Sequence, residues 1–184
     1  MKISVITAVF NNRAHIAEAL ESVLAQDHAD VERVVIDGGS TDGTLDILRA
    51  RQDRLGVLVS EPDRGLYDAL NKGLRLARGD VVGFLHSDDL FADAAVLSRV
   101  AAAFADPAVC AVYGDLQYVR KGDTRRVVRH WKSAPFRARL LARGWMPPHP
   151  TLYVRREWYE RIGGFDTRYR IAADYFSILQ LFSQ

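Results

Sequence analysis

The sequence predicts an α/β domain with a mostly parallel central sheet and a smaller antiparallel elaboration in its second half. Up to residue 107, short β-branched runs alternate with amphipathic helical patterns, which is the order of repeated βα units. This order predicts a parallel sheet with helices on both faces. After residue 108 the alternation stops, and two runs around Gly122 and Asp123 have the pattern of a β-hairpin. Because no linker composition separates the halves, we expect one domain over residues 1–184.

The first half is expected to contain four strands and four helices. Strands are predicted at residues 2–9, 33–37, 55–60 and 80–86. Helical patterns with one apolar face follow at residues 16–24, 66–77 and 96–104. The remaining helix, after the second strand, is expected to begin at a cap formed by Ser40 or Thr41.

The second half is expected to be less regular. Its predicted elements are a strand at residues 108–115, a hairpin at 116–121 and 124–131, a basic amphipathic stretch at 133–145 and a short helix at 157–162. An apolar helical pattern then reaches Gln184 without a capping signal. We therefore expect the second half to be C-terminally incomplete.

Composition places the chain among ordinary soluble globular proteins, with 48% apolar and 26% charged residues. No stretch approaches the roughly 20 apolar residues of a membrane-spanning helix. The apolar run at the N-terminus is too short for a signal peptide. Cys110 is the single cysteine, so an internal disulfide is excluded. We expect a buried thiol and an intracellular, cytoplasmic protein.

The net charge of +2 conceals two oppositely charged parts. Residues 1–119 carry a balance of −7, and residues 120–170 carry +10. The acidic part suits a metal and sugar hydroxyls, whereas the basic part is expected to face something anionic. Arginines and aromatic residues interleave between Trp131 and Trp145, which suits peripheral contact with the inner face of an anionic membrane. A surface helix packed by its apolar side is the open alternative.

Polar clusters follow all four predicted strands of the first half. These clusters are Phe10–Asn12, Asp37–Ser40, Glu61–Arg64 and His86–Asp89. Ligands of open parallel α/β sheets bind beyond the carboxyl ends of the strands. The four clusters are therefore expected to form one site.

The chemistry of that site follows from its acidic residues. Residues 38–43 match neither GxGxxG nor GxxxxGK[ST], which argues against a dinucleotide dehydrogenase or a P-loop kinase. Two carboxylates beside a phosphate repel it unless a hard divalent cation lies between them. Asp88 and Asp89 therefore predict Mg²⁺ or Mn²⁺ bridging a nucleotide diphosphate. Helix capping by Ser87 or Asp88 is the alternative.

Four motifs together resemble family 2 glycosyltransferases, which have the Rossmann-like GT-A fold. They are ISVITAVFNN, VVIDGGSTDGT, SEPDRGLYDALNKGLRLARGDVVGFLHSDD and GGFDTRYRIAADY. The resemblance runs from Lys2 to about Leu181 and is closest to the bacterial branch that builds polysaccharides and lipopolysaccharides of the cell envelope. It implies a nucleotide-sugar-binding half over residues 1–107 and an acceptor-side half over residues 108–184.

The resemblance implies a set of donor-binding residues. They are Thr7, Phe10, Asn11, Asp37, Ser40, Asp63, Arg64, Tyr67, Asn71, Asp88 and Asp115. Phe10 is expected to flank the nucleotide base, and Asp37 to accept a hydrogen bond from a uracil ring. Tyr67 and Asn71 are alternatively helix-packing residues. Asp115 is alternatively a turn residue.

The resemblance also implies the metal site and the catalytic base. Asp88 and Asp89 match a metal motif whose common form is DxDD, but His86 replaces its first aspartate, so the ligating carboxylate stays open. His149 matches a histidine near the metal. Asp174 is expected to be the general base that takes a proton from the acceptor hydroxyl, and it could also be a helix N-cap.

The sequence therefore predicts an inverting, metal-assisted hexosyltransferase that uses a nucleotide-sugar, favouring UDP, and a glycan or lipid-linked acceptor. Three alternatives stay open. They are an inactive or truncated member that only binds sugar nucleotides, a nucleotidyltransferase, and a nucleic-acid-binding module using residues 120–170. The last leaves the acidic strand ends unexplained, so no nucleic-acid partner is expected. Sugar, linkage and oligomeric state are not specified by the sequence.

Overall fold

The structure is a computed structural model that describes all 184 residues. Its strands are β1 (Ile3–Val9), β2 (Val31–Asp37), β3 (Val57–Ser60), β4 (Val81–Phe84), β5 (Ala111–Val112), β6 (Leu116–Arg120), β7 (Asp123–Trp131) and β8 (Tyr153–Arg155). Six of them form a sheet in the order β3-β2-β1-β4-β8-β5, and β6 and β7 form a separate two-stranded ribbon. Strands β1 to β4 are parallel, whereas β8 is antiparallel to both β4 and β5.

Six α-helices accompany the strands. They are α1 (Ile16–Leu24), α2 (Thr44–Arg49), α3 (Leu66–Leu76), α4 (Val96–Ala103), α5 (Arg156–Ile162) and α6 (Ala173–Phe182). Short 3-10 helices occur at Gln52–Arg54, Ala138–Arg143 and His149–Thr151. None of the helices has both the length and the apolar character that spanning a lipid bilayer requires.

The core has two layers, one on each face of the sheet. Along β1, Ile6 and Ala8 point into the layer formed with α3, α5 and α6. Ile3 and Val5 point to the opposite layer, which contains α1 and α4. This alternation is the two-residue period of a strand buried on both faces. The predicted α/β fold, with its mostly parallel sheet and small antiparallel part, is confirmed.

Helix α3 lies very close to β1 because Gly73 has no side chain. A Cβ atom at Gly73 would stand 2.4 Å from Cγ2 of Ile6, well inside van der Waals contact. The close approach holds the N-terminal end of α3 against the carboxyl edge of the sheet. Leu66, predicted as part of the apolar stripe, is instead 46% exposed at that end.

Several local predictions were wrong. Helix α2 begins after Gly43, so neither Ser40 nor Thr41 caps it. Only residues 111–112 of the predicted strand 108–115 form a strand. Cys110 is only partly buried. These segments are short or irregular, so their periodic patterns are weak.

Candidate active site

A groove of about 400 Å³ opens at the carboxyl edge of the parallel strands. Its lining residues are Ala8, Val9, Phe10, Asp63, Gly65, Leu66, Ala69, His86, Ser87 and Asp88. They come from the end of β1, the loop before α3, the start of α3 and the loop after β4. Three of the four predicted polar clusters therefore reach one groove, and the fourth, at the end of β2, lies beside it.

The end of β1 is held in a specific conformation by the loop after β2. Asn11 has a positive φ of 47°, a conformation that asparagine tolerates better than most residues. Its backbone N–H donates to Oγ of Ser40 at 2.8 Å, and its Oδ1 accepts from the backbone N–H of Thr41 at 2.8 Å. Phe10 is left 62% exposed at the groove. An aromatic face in that position suits stacking with a planar ring.

Asp37 lies fully buried beside the groove. Its Oδ1 accepts from the hydroxyl of Ser40 at 2.5 Å, and its Oδ2 accepts from the hydroxyl of Ser60 at 2.6 Å. The backbone N–H of Ser40 also points at the carboxylate, at 3.2 Å from Oδ2. A nucleotide base that donates a hydrogen bond to Asp37 would use a carboxylate lone pair that the serines leave free, or it would displace a serine hydroxyl. Ser60 is a residue that the sequence analysis missed, although it pairs with Asp37 in the strand register.

The loop before α3 places one carboxylate in the groove and turns its neighbour outward. Oδ1 of Asp63 accepts from the backbone N–H of Gly65 at 2.8 Å. Its Oδ2 lies against Gly38, where a Cβ atom would stand only 2.5 Å away. Arg64 is not among the lining residues and forms an ion pair with Asp68 at 3.1 Å. Phosphate binding by Arg64 would therefore require its exposed guanidinium to turn away from Asp68.

The loop after β4 presents its two acidic residues differently. Asp88 is exposed and lines the groove, whereas Asp89 is partly buried. Burial raises the pKa of Asp89, His86 lowers it and Asp88 raises it. Asn12, a member of the first predicted polar cluster, ties this loop to β1 because its Nδ2 donates to Oγ of Ser87 at 2.8 Å. Ser87 and Asp88 are not followed directly by a helix, since α4 begins at Val96.

The acidic loop alone does not enclose a metal ion. No three histidine, cysteine, aspartate or glutamate side chains of the chain converge as a metal-binding group. The carboxylates of Asp88 and Asp89 are nevertheless the hard oxygen donors that Mg²⁺ and Mn²⁺ accept. Mg²⁺ is typically held by one or two carboxylates, with phosphate oxygens and water completing its shell. The residues present fit a cation shared with a diphosphate.

His149 is buried beneath the groove with an unpaired ring nitrogen. It is 5% exposed, and its Nε2 has no hydrogen-bond partner. The ring stacks on Phe84, with centroids 5.3 Å apart, and lies 5.9 Å from the ring of His86. Burial lowers the pKa of His149 to about 4, His86 adds to this effect and Asp174 opposes it. The imidazole is therefore neutral at physiological pH.

Asp174, the predicted base, lies in the first turn of α6 and is held by a side chain of α3. The hydroxyl of Tyr67 donates to its Oδ1 at 2.9 Å. Burial and then this hydrogen bond raise the pKa of Tyr67, which keeps the phenol protonated and able to donate. The expected N-cap role is wrong, because Ala172 is the capping residue and no side chain caps the helix. Asp174 therefore has a free oxygen for other chemistry.

Three other predicted donor residues have contacts away from the groove. Asn71 forms two hydrogen bonds of 2.8 Å with the backbone N–H and C=O of Phe165. Asp115 accepts from the backbone N–H of Ser133 at 2.9 Å, which lowers the pKa of Asp115. Thr7 is 2% exposed inside β1. In the structure, Asn71 packs a helix, which is the alternative that the sequence had left open, whereas Asp115 joins the two ends of the β6–β7 ribbon through Ser133 and His130.

The groove is typical of one class of protein. A parallel α/β sheet presents the ring of Phe10 and the carboxylates of Asp63 and Asp88 in one groove, as expected for a nucleotide-binding enzyme without a glycine-rich phosphate loop. The model of the protein family described as Glycosyl transferase family 2 matches residues 4–170 of the chain. The chain belongs to this family and is a glycosyltransferase, which confirms the predicted family and enzyme class.

The relatives found by sequence are bacterial glycosyltransferases. A PGL/p-HBAD biosynthesis glycosyltransferase of Mycobacterium bovis (strain BCG / Pasteur 1173P2) is 35% identical over 98% of this chain and 69% of its own length. An uncharacterized glycosyltransferase of Nostoc sp. (strain PCC 7120) is 32% identical over 95% of this chain and 57% of its own length.

Solved structures of glycosyltransferases share the fold. Mannosyltransferase PcManGT from Pyrobaculum calidifontis, in complex with GDP-Man and Mn²⁺, has a TM-score of 0.71 and 29% identity over 94% of this chain and 49% of its own. S. aureus TarS 1-349, in complex with UDP-GlcNAc, has a TM-score of 0.76 and 22% identity, over 99% and 53% of the two chains, and supports the fold alone. The chain spans about half the length of these solved structures. Its GT-A fold is thereby confirmed.

Proposed function

We propose that this chain transfers a sugar from a nucleoside diphosphate donor, with uridine the favoured base, to a hydroxyl of a glycan or lipid-linked acceptor. The observation that carries the proposal is the arrangement of two acidic centres around α3. Asp88 lies in the groove together with the exposed ring of Phe10. Asp174 of α6 accepts a hydrogen bond from Tyr67. Tyr67 lies in the first turn of α3, the helix whose N-terminal end lines the groove. PcManGT, whose structure holds GDP-Man and Mn²⁺, supports a nucleotide-sugar donor.

The donor is proposed to lie along the groove, with its base beside Phe10 and its diphosphate near Asp88. Asp88 and Asp89 would hold Mg²⁺ or Mn²⁺, and His149, with its unpaired nitrogen, is the further candidate ligand. Bound there, the cation supplies positive charge that stabilises the diphosphate as a leaving group. The groove has no lysine or arginine in its lining, which argues against a nucleotidyltransferase.

Asp174 is the proposed general base. Its carboxylate takes the proton of the acceptor hydroxyl as that oxygen forms a bond to the anomeric carbon, and the bond to the diphosphate oxygen breaks on the opposite face. Such a displacement inverts the anomeric centre. Tyr67 keeps one carboxylate oxygen oriented by its hydrogen bond, so the other oxygen remains available for the acceptor. Peripheral contact with an anionic membrane would suit a lipid-linked acceptor.

Thermal-shift measurements with UDP-, GDP- and dTDP-sugars, each with and without Mn²⁺, test the donor proposal. We expect one nucleotide class to stabilise the protein, and to do so much more strongly with the metal. Asp88→Asn with Asp89→Asn should remove the metal dependence. The matched control is Asp46→Asn with Asp53→Asn, which removes two exposed carboxylates far from the groove. Stabilisation by no donor, from folded protein, would count against the proposal.

The role of Asp174 is tested separately from donor binding. Asp174→Asn should retain the donor-induced shift in melting temperature and lose transfer to an acceptor, because the amide cannot take up the proton. Loss of donor binding in this variant would instead place Asp174 in the donor site. Transfer at the wild-type rate would exclude it as the base.

A further inference from the structure

The ribbon formed by β6 and β7 is exposed along almost its whole length. Every residue from 117 to 130 is exposed, on both faces of the two strands. Strands of a folded domain normally bury at least one face, and an isolated two-stranded hairpin is at best marginally stable in water. The ribbon therefore lacks the packing partner that its length and regularity would lead one to expect.

Several side chains of the ribbon are apolar. Val128 is 62% exposed, Val127 46%, Tyr118 41% and Val119 38%. Val119 and Val127 face each other across the strands, and a β-bulge occurs at this point. An exposed apolar group of this kind, rimmed by polar residues, is typical of an interaction surface.

The charges around this apolar group are almost all positive. The basic residues of the segment 117–130 are Arg120, Lys121, Arg125, Arg126 and Arg129, and Asp123 is its single acidic residue. Asp123 forms an ion pair of 3.6 Å with Arg125, whose side chain is still 96% exposed. Arg129 lies over the rings of Tyr118 and Trp131, at 5.3 and 6.0 Å. The ribbon thus offers a surface complementary to an anionic partner.

The neighbouring basic segment, residues 133–145, has its aromatic side chains packed against the domain. Phe136 contacts Phe182 of α6, with ring centroids 4.9 Å apart, and Trp145 contacts the same ring at 5.8 Å. Arg137, Arg139 and Arg143 remain exposed there. Both segments are therefore basic. Phe136 is still 38% exposed, but the ribbon has four exposed apolar side chains, and they lie on both of its faces.

We propose that the ribbon, and not residues 133–145, binds the headgroup layer of an anionic lipid membrane. A headgroup layer that a ribbon enters contacts both of its faces together, whereas a flat protein surface covers one face. Basic side chains meet lipid phosphates while valines and tyrosine reach the boundary of the acyl chains. The unpaired backbone groups along the ribbon edges keep it in this hydrated layer and out of the hydrocarbon.

The segment just before β6 connects the ribbon to the candidate active site. The carbonyl of Gly114, just before β6, accepts a hydrogen bond of 2.9 Å from Oγ1 of Thr151. Thr151 belongs to the same short 3-10 helix as His149. A ribbon lying on the membrane would therefore hold the acceptor side of the site near the surface. The biological role of this membrane contact rests on the proposed function, because a lipid-linked acceptor would be presented at the membrane surface.

Vesicle co-sedimentation tests the proposal with the full chain. Phosphatidylcholine vesicles with and without phosphatidylglycerol serve as probes, at low and high salt. We expect binding only to the anionic vesicles, weakened by salt. The triple variant Arg120→Gln, Lys121→Gln, Arg126→Gln should bind about a hundredfold more weakly, since each basic residue near such a surface contributes about fivefold.

The matched control removes the same charge from the neighbouring segment through Arg137→Gln, Arg139→Gln and Arg143→Gln. It should retain binding within about fivefold of the unmodified chain. Equal losses in both triple variants would overturn the proposal in favour of net charge alone, and absence of binding by the unmodified chain would also overturn it. Because all six residues are exposed, circular dichroism and melting temperature should stay unchanged.

Two further measurements separate this proposal from its competitors. The Val127→Ser, Val128→Ser variant should also weaken vesicle binding, by about tenfold. Sedimentation velocity tests a second copy of the chain as the occupant, and a dimer that this variant dissociates, without vesicle binding, would overturn the proposal. Soluble nucleotide-sugar binding should be unchanged in the ribbon variants. A failed lipid test with intact donor binding therefore leaves the proposed function standing.

Discussion

The buried imidazole of His149 should make the stability of the metal-free protein depend on pH. In the folded chain its pKa is lowered to about 4, because the ring is enclosed by Phe84 and other buried groups. In the unfolded chain the pKa is about 6.5. Below that value the unfolded chain binds a proton that the folded chain does not, so stability is full above about pH 6.5 and falls as the pH approaches 4. At about pH 5, this histidine should lower the free energy of unfolding by about 2 kcal/mol relative to pH 8.

Urea denaturation in EDTA, at several pH values, measures this effect. Other groups also titrate in this range, so the informative quantity is the difference between the unmodified chain and His149→Phe. Phenylalanine keeps the stacking with Phe84 and cannot be protonated. We expect the variant to lose about 2 kcal/mol less on acidification to about pH 5. Parallel pH profiles for the two proteins would refute the reasoning that His149 is buried in its neutral form.

Two further substitutions test the hydrogen bonds around the site. Tyr67→Phe removes the donor to Asp174 and should lower kcat about tenfold or more with little change in donor affinity, as a charge-assisted hydrogen bond is worth about 2 kcal/mol. Steady-state kinetics measures this, and a change confined to KM would contradict it. Asp37→Ala leaves the hydroxyls of Ser40 and Ser60 without their acceptor and should destabilise the fold by about 3 kcal/mol. Urea denaturation measures the loss of unfolding free energy. A loss below about 1 kcal/mol would contradict the view that these buried hydrogen bonds stabilise the fold.

The parallel part of the fold could be predicted because its signals are strong and local. The strand from Ile3 to Val9 is fully buried, and α3 has the apolar periodicity of an amphipathic helix. The position of the groove then followed from topology, since parallel strands end at the same edge. Topology does not predict, however, which polar side chains at the strand ends are buried and which are exposed. Asp37 ends β2 and Asp88 lies in the loop after β4, yet the first is buried and the second lines the groove.

The antiparallel edge of the sheet could not be predicted. Strand β5 has two residues and β8 has three, too few for a two-residue alternation to be recognised. Strand β8 pairs with β4 and with β5, both of which are distant along the chain, so the pairing does not follow from a local pattern. The structure of residues 133–145 could not be predicted for another reason. The aromatic residues of this segment are spaced for packing against α6, not for one face of a helix.

Helix α3 physically joins the expected donor half to the expected acceptor half. Tyr67 and Asn71 lie one helical turn apart, on the same side of α3. Tyr67 holds Asp174, and Asn71 holds the backbone of Phe165 through both the Nδ2 and the Oδ1 atom of its side-chain amide. The N-terminal end of the same helix lines the groove. One rigid element therefore fixes the spacing between the proposed base and the proposed donor site, and spacing of this kind determines the rate of a displacement between two bound substrates.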